Sequence, residues 1–246
     1  MTTNKIILFI FFLAISYIGI AQTQFISSGK ITFEKKVNIH KEIEGDSWLE
    51  NLKDKIPKYR STFHHLYFAE GKTLFEKGEE SDVKIPFFDD DLSSDDIIYT
   101  DIKQGIFAKK QAVFDETFLI TDSIRKVKWQ MTNELRDIAG FECHKAVGII
   151  LDSVYVIAYY TDQITVEGGP LSYCKLPGMI LGIAIPRANM SIFATKIELT
   201  IPKEGKISIP KGKMKNTNYK ELNTTLQAAL KRWGSYGRKY IINSLL

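Results

Sequence analysis

Hydrophobic and polar residues alternate with a period of two along much of the chain. Ile31 and Phe33, for example, are separated by Thr32 and followed by Glu34. This period is typical of half-buried β-strands. Alternation, or enrichment in β-forming residues, predicts strands at 31–35, 62–68, 74–75, 97–102, 105–110, 112–120, 127–135, 143–151, 154–161, 179–185 and 191–201. The short turn signals between several of them favour antiparallel hairpins over β-α-β crossovers.

Two segments carry the spacing of amphipathic helices instead. The first is predicted to begin at the capping residue Asp46 and to end at Pro57. Its apolar positions are Trp48, Leu49, Leu52 and Ile56. The second is predicted to begin at Thr217 or Asn218 and to stop at Gly234. Its apolar positions are Leu222, Leu226, Ala229, Leu230 and Trp233. The tail over residues 237–246 fits either an extra strand or a docked end.

These elements predict a mainly β fold of the α+β type. We expect a strongly curved antiparallel sheet with an N-terminal and a C-terminal amphipathic helix, each lying against the sheet. A chain of this length is able to bury a sizeable core.

The N-terminus has the pattern of a secretory signal peptide. Lys5 supplies a short positive region, and residues 6–20 form an apolar run too short to span a bilayer comfortably. Small residues then precede a cut between Ala21 and Gln22. An uncleaved anchor helix is the alternative. We therefore expect residues 1–21 to be a signal peptide and 22–246 a single β-rich domain, periplasmic or secreted, with no transmembrane segment after cleavage.

The net charge of the chain bears on which partners are expected. The formal net charge is +4, and it falls to +3 when Lys5 leaves with the signal peptide. An excess this small does not indicate a nucleic-acid or membrane-surface partner.

The most constrained stretch is 168–182. Gly168 and Gly169 permit positive φ, and Pro170 fixes φ near −65°. The Pro-Gly order at Pro177 and Gly178 is typical of a tight turn, and it leads into an apolar run. The segment is predicted to be a shaped loop that enters a buried strand.

This stretch resembles the signature of the GLPGLI family of exported Bacteroidetes proteins. In that family a Gly-Pro pair and an aromatic residue precede Gly-Leu-Pro-Gly-Leu-Ile-Leu. Here Lys175 stands where the family usually has Gly, and Met179 replaces Leu. The likeness continues through Trp129, residues 138–146 and residues 158–164. The resemblance implies an exported protein, but it implies no reaction or ligand.

Cys143 and Cys174 both fall in the part expected to be exported. An even pair of cysteines in an oxidising compartment favours a disulfide, which would enclose about thirty residues and contribute roughly 3–4 kcal/mol. The bridge would tie the shaped loop to the strand around Phe141. A metal pair and a nucleophilic thiol are the alternatives, and neither has a C-x-x-C motif to support it.

The sequence carries none of the familiar catalytic motifs, including G-x-S-x-G, H-E-x-x-H, G-x-G-x-x-G and the Walker loop. His64 and His65 are adjacent on a predicted strand, so they face opposite sides of the sheet. The same geometry separates the Cys143 thiol from the His144 imidazole. We therefore expect a protein that is not an enzyme and uses no cofactor.

An acid-rich segment at 76–96 contains the run 89–91 followed by Asp95 and Asp96. It lacks the alternating spacing and central glycine of an EF-hand loop. The segment is predicted to be a solvated loop without a metal, and a partner-docking loop is the alternative.

Binding is accordingly the function predicted from sequence. A curved sheet rich in aromatics is expected to hold an apolar small molecule or lipid in its concavity. The loop 168–178 is the preferred site, because loops held rigid by Gly, Pro and a disulfide present groups at low ordering cost. Its exposed contacts are expected from Tyr159, Tyr173 and Lys175. The full predicted set is Tyr159, Gly169, Pro170, Tyr173, Lys175, Leu176, Pro177 and Gly178. The alternatives are an interaction subunit that docks another envelope protein on an outer-membrane complex, and an uncharacterised hydrolase.

Overall fold

The computed structural model describes residues 25–45, 50–51, 53–79 and 95–245. Its strands are β1 Ser28–Asn38, β2 Tyr59–Ala69, β3 Lys72–Lys77, β4 Ile97–Asp101, β5 Ile106–Val113, β6 Glu116–Ser123, β7 Gln130–Ile138, β8 Phe141–Ile150, β9 Val154–Thr161, β10 Met179–Ile185, β11 Met190–Glu198 and β12 Lys215–Thr217. Its helices are α1 Ile39–Glu42, α2 Tyr219–Leu230 and α3 Gly234–Leu245, with 3₁₀ turns at Lys53–Lys55 and Pro186–Ala188.

The twelve strands of the described residues lie in one open, curved sheet, in the order β12-β6-β5-β4-β3-β2-β1-β11-β10-β9-β8-β7. Neighbouring strands are antiparallel, except that β12 pairs with β6 in parallel. Short connections join most neighbours as hairpins, whereas β1 pairs with β11, which lies much further along the chain. This pairing joins the two halves of the sheet.

The core fills one face of the sheet. Ile31 and Phe33 in β1 are fully buried, whereas Thr32 between them is partly exposed. Leu176 in the loop before β10 and Leu226 in α2 belong to the same core cluster. The concavity of the sheet is therefore occupied by the chain's own loop and helices, which remove apolar surface from water.

The predicted fold class is wrong in its N-terminal helix. The fold is mostly β as expected, but a long N-terminal amphipathic helix is not seen among the described residues. These hold the four-residue helix α1, a single helical position at Glu50 and the 3₁₀ turn Lys53–Lys55. The Asn38 side chain caps it by accepting a hydrogen bond from the Lys41 N–H at 3.2 Å. Of the predicted helix, positions 46, 48, 49 and 52 lie outside the described residues, and Ile56 is not helical.

The C-terminal prediction also needs correction. Asn218 caps α2 by accepting from the Glu221 N–H at 2.9 Å, and Leu222 and Leu226 face the core. The chain then continues into a second helix, α3, beginning at Gly234, whose φ of +56° turns the backbone. The tail is thus a helix and not an extra strand.

Two cations from the sheet side hold the end of α3. The Lys109 Nζ donates to the Ser244 carbonyl at 3.4 Å and lies 3.0 Å from the Asp96 carboxylate. The Arg125 guanidinium donates to the Leu245 carbonyl. The last carbonyls of a helix have no partners within it and carry partial negative charge, so both cations stabilise this end. Asp96, predicted to lie in a solvated loop, is in fact buried with Lys109.

The substitution Lys109→Met should destabilise the protein, because it removes the ammonium group that lies 3.0 Å from the buried Asp96 carboxylate. We expect a loss of about 3–5 kcal/mol in the free energy of unfolding, measured by urea denaturation. The matched control is Lys110→Met at the neighbouring position, which points to the other face of the sheet. Equal losses in the two variants would contradict this account.

Candidate functional site

A polar groove crosses the outer face of β11, β1 and β2. Its volume is about 500 Å³. It is lined by Lys30, Thr32, Phe63, Glu79, Thr195, Lys196 and Glu198. Thr32 pairs with Lys196 on one side and with His65 on the other, so the groove lies on the pairing that joins the two halves of the sheet.

A β-bulge shapes the groove. The register between β1 and β11 shifts after Thr32, so that Phe33 pairs with Ala194 and Thr195 has no opposite residue. Thr195 and Lys196 are consequently both exposed, although adjacent residues of a regular strand face opposite sides. The Thr195 hydroxyl donates to the Thr32 carbonyl at 3.2 Å, which fixes the bulge.

Glu198 lies between two lysines at one end of the groove. Its carboxylate is 3.2 Å from the Lys196 Nζ and 3.7 Å from the Lys30 Nζ. The hydrogen bond from Lys196, together with the charges of both lysines, holds the pKa of Glu198 below its usual range. Glu198 is therefore an ionised hydrogen-bond acceptor at neutral pH.

His65 lies at the border of the groove. Its Nδ1 is 3.3 Å from the Thr32 hydroxyl, and its Nε2 is 3.8 Å from the Glu79 carboxylate. Burial lowers the pKa of His65 below 6.5, and the Lys30 charge lowers it further, while Glu79 acts in the opposite direction. The imidazole is thus neutral at neutral pH, with one donor and one acceptor nitrogen.

The other histidines contribute nothing to the groove. His64 faces the core and stacks on Phe75, with ring centroids 5.0 Å apart. His144 packs against Tyr160 at 5.7 Å. No group of three or more His, Cys, Asp or Glu residues able to hold a metal occurs in the part of the chain that the structure describes.

The loop predicted as the site lies mainly in the core. Gly169, Pro170, Leu176 and Gly178 are buried with it. Of the predicted set, only Lys175 and Pro177 are exposed. The expectation that the Tyr159 and Tyr173 side chains supply exposed contacts is wrong, because they are 8% and 3% exposed. Tyr173 packs against Trp129, whose indole N–H donates to the Cys174 carbonyl at 3.1 Å.

Tyr159 belongs to a different cluster. Its hydroxyl donates to the Glu134 carboxylate at 3.3 Å, and the Arg136 guanidinium lies 5.4 Å from its ring centroid. Glu134 also binds the Lys145 ammonium at 2.6 Å. Tyr159 is thus anchored to β7, whereas Tyr173 is anchored to Trp129, so the structure does not bring these two tyrosines together in one site.

Backbone geometry explains the unusual residues of the loop. Gly178 has φ of +133°, and a Cβ atom there would lie 2.0 Å from the Thr161 carbonyl oxygen. Lys175, at the position where GLPGLI proteins usually have Gly, has φ of +70°. Its Nζ donates to the Ile102 carbonyl at 3.0 Å. The loop is therefore a tight corner that enters β10, as the sequence predicts.

The predicted Cys143–Cys174 disulfide is absent from the structure, and both residues are buried free thiols. The Cys143 Sγ donates to the Phe141 carbonyl, at 3.4 Å. Burial raises the pKa of Cys143 to about 12 and that of Cys174 to about 11. Burial thus disfavours the thiolate form that a nucleophile needs.

Sequence reasoning missed the groove. Its residues come from β1, β2, β11 and the segment after β3, and no local motif contains them. The available signal was the run of polar residues at alternate positions of β1, namely Lys30, Thr32 and Glu34. The bulge at Thr195 breaks the alternation in β11, so that strand carries no matching signal.

Comparison with known proteins gives a family match. A family model described as "N-glycanase peptide, N-terminal domain" matches residues 71–223, more than half of the chain. No curated protein matches the sequence.

Two structures of PNGF-II, from different crystal forms, are similar to this fold. Their TM-scores are 0.52 and 0.51, each at 15% identity, and the alignments cover 80% and 78% of this chain. They cover 33% and 31% of the PNGF-II chains, so this chain spans about a third of their length. At this identity the likeness shows the fold alone.

These findings overturn the hypothesis of an apolar ligand in the sheet. The family match indicates a domain associated with a glycan-related hydrolase, and not a lipid carrier. The concavity that was expected to hold the ligand is filled by the loop before β10 and by α2. Among the described helices none is long and apolar enough to cross a membrane. The predicted signal peptide, 1–21, lies outside the described residues.

The left-handed backbone at Lys175 should reverse the usual stability order of alanine and glycine variants. Lys175→Ala loses the bond to Ile102 and keeps the left-handed backbone, whereas Lys175→Gly loses the bond and also the strain. We expect the glycine variant to be more stable than the alanine variant by about 1 kcal/mol in urea unfolding. At Lys36, on regular strand β1, the same two substitutions should rank the other way. If Lys175→Ala were as stable as Lys175→Gly, the claim that the backbone is strained at this position would be wrong.

Stability should depend on pH through His65. Because the pKa of His65 is below 6.5 in the folded state, the unfolded chain binds the proton more readily. Stability is therefore predicted to fall as the pH drops through 6.5, and to level off below the folded-state pKa. His65→Gln should flatten this part of the curve, measured by thermal melting from about pH 8 to about pH 5. Parallel curves for the two proteins would be inconsistent with this interpretation.

Proposed function

This chain belongs to the family of N-glycanase N-terminal domains, and on that premise we propose that it is a non-catalytic, glycan-binding domain whose site is the polar groove on β11, β1 and β2. The proposal rests on one observation, the family match over residues 71–223. The family is named for an N-glycanase, and the matched part is the N-terminal domain of that enzyme.

The groove has the chemistry that a hydroxyl-rich ligand needs. Glu198 accepts hydrogen bonds as a carboxylate, and Lys30 and Lys196 donate them as ammonium groups. Hydrogen bonds to ionised partners are the strong ones, and a sugar hydroxyl is able to both donate and accept. A volume of about 500 Å³ lies within the range of small-ligand sites.

An aromatic side chain completes the groove. Phe63 is partly exposed at its wall. Aromatic rings supply large apolar surface of fixed shape, which suits the C–H face of a sugar ring. Polar recognition on one side and apolar contact on the other give a glycan a preferred orientation.

The electrostatics of the groove favour binding over hydrolysis. A general acid at neutral pH needs a raised pKa, so that it still holds its proton. The pKa of Glu198 is lowered instead, by the two neighbouring lysines. The chain also spans about a third of the PNGF-II chains, which fits an accessory domain.

Export is the second part of the proposal. The predicted signal peptide, 1–21, and the resemblance of the loop 168–182 to the GLPGLI signature both support a protein that acts outside the cytoplasm. Polymeric glycans and glycoproteins are available there. A cleaved N-terminus at Gln22, found by mass spectrometry of the mature protein, is the expected result.

The binding test uses an asparagine-linked biantennary glycopeptide and isothermal titration calorimetry. The wild-type protein should bind it, and Glu198→Gln should weaken the binding by about tenfold, because a charged acceptor is lost. Lys196→Ala should weaken it in the same direction. Lys41→Ala is the matched control. Lys41 is a similarly exposed lysine outside the groove, and its Nζ pairs with the Glu44 carboxylate at 3.3 Å.

Three outcomes would count against the proposal. A wild-type protein that shows no heat of binding at millimolar glycopeptide would exclude the glycan-binding function. Unchanged affinity in Glu198→Gln would exclude the groove as the site. Release of free glycan from the glycopeptide by the purified protein would contradict the non-catalytic role.

A further inference from the structure

We propose that Phe114 and Trp233, supported by Tyr240, form a second subsite of the same protein, which stacks against a pyranose ring of the glycan. The inference rests on the glycan-binding function proposed above. These three residues are called the aromatic platform below. They come from the β5–β6 turn, the α2–α3 junction and α3.

The aromatic platform is a built arrangement of rings. Tyr240, which is buried, stacks on Phe114 with centroids 5.5 Å apart and planes 3° from parallel. Trp233 meets Phe114 edge to face, at 6.2 Å and 69°. Phe114 and Trp233 remain 51% and 48% exposed. The buried Tyr240 ring thus packs beneath the half-exposed Phe114 ring. The half-exposed Trp233 ring stands at a steep angle to Phe114, so the face of one ring lies beside the other.

The backbone at Phe114 is strained. Its φ is +54°, in the left-handed region, which large side chains rarely adopt. Gly or Asn fits that conformation at lower cost. Glu70 and Ala139, which begin the β2–β3 and β7–β8 turns, have the same left-handed φ, so the conformation itself comes from the tight hairpin turn. Since half of the ring is exposed, core packing alone does not account for a phenylalanine here. The ring surface itself is what this position provides.

A sugar ring suits this surface better than a protein partner. Two half-exposed rings offer far less area than the roughly 1,200 Å² that a stable protein interface buries. Polar groups also lie close by, because the Glu116 carboxylate, two residues after Phe114, binds the Lys215 ammonium and both remain exposed. An apolar face bordered by a charged pair matches a pyranose, which has a C–H face and hydroxyls at its edge.

The test measures stability and affinity in the same variants, with the biantennary glycopeptide as the probe in calorimetry. Phe114→Gly should weaken binding by about tenfold, while urea unfolding shows it to be at least as stable as Phe114→Leu, which keeps the strained backbone. Trp233→Leu, which keeps an apolar side chain, should also weaken binding by about tenfold. Tyr59→Ala removes another half-exposed aromatic residue and should leave the affinity unchanged.

The outcomes separate the two proposals. Weakened binding in both platform variants, with a normal Tyr59→Ala control, supports the subsite. Unchanged binding in both, together with weakened binding in Glu198→Gln, overturns the platform and leaves the groove in place. A wild-type protein that does not bind the glycopeptide overturns both.

Discussion

The antiparallel pairing of β1 with β11 is the contact on which the rest of the structure depends. It joins the two series of hairpins into one sheet, from Lys30 opposite Glu198 to Val37 opposite Met190. Because the two strands lie far apart along the chain, forming this pair closes a very long loop and comes at an entropic cost. The buried side of β1, with Ile31 and Phe33, offsets that cost by joining the common core.

The groove is a direct consequence of that pairing. A bulge at Thr195 exposes two consecutive residues of β11, and the paired strand β1 adds Lys30 and Thr32. The inner face of the sheet is packed with the loop before β10, where Gly178 approaches the Thr161 carbonyl too closely for any side chain. The packed core and the polar groove therefore lie on the two faces of one sheet, and a change of register would disturb both.

Local signals in the sequence predicted local structure well. Period-two alternation located the β1 strand, and the Pro-Gly order at Gly178 correctly indicated a tight turn. Of the two predicted starts of α2, Thr217 and Asn218, the structure has Asn218 as the cap. Each of these features depends on residues within a few positions of one another. The corner at Lys175 is instructive, because its left-handed φ is a conformation that glycine, the usual residue at this position of the GLPGLI signature, adopts at lower cost.

Features that depend on distant contacts could not be predicted in this way. The Cys143–Cys174 bridge was inferred from the compartment, whereas the fold buries both thiols unpaired. Tyr173 was assigned to the surface of a loop, but that loop fills the concavity. The groove itself arises from strand pairing across the chain and from a bulge, and neither leaves a motif in any one segment.

Chemical-shift mapping would test the central claim most directly. Titrating the isotopically labelled protein with an asparagine-linked biantennary glycopeptide should shift the backbone amide signals of Lys30, Thr32, Thr195 and Lys196. The amides of the loop 168–178 should remain unchanged. Shifts confined to that loop, or no shifts at saturating glycopeptide, would contradict a glycan site on the groove.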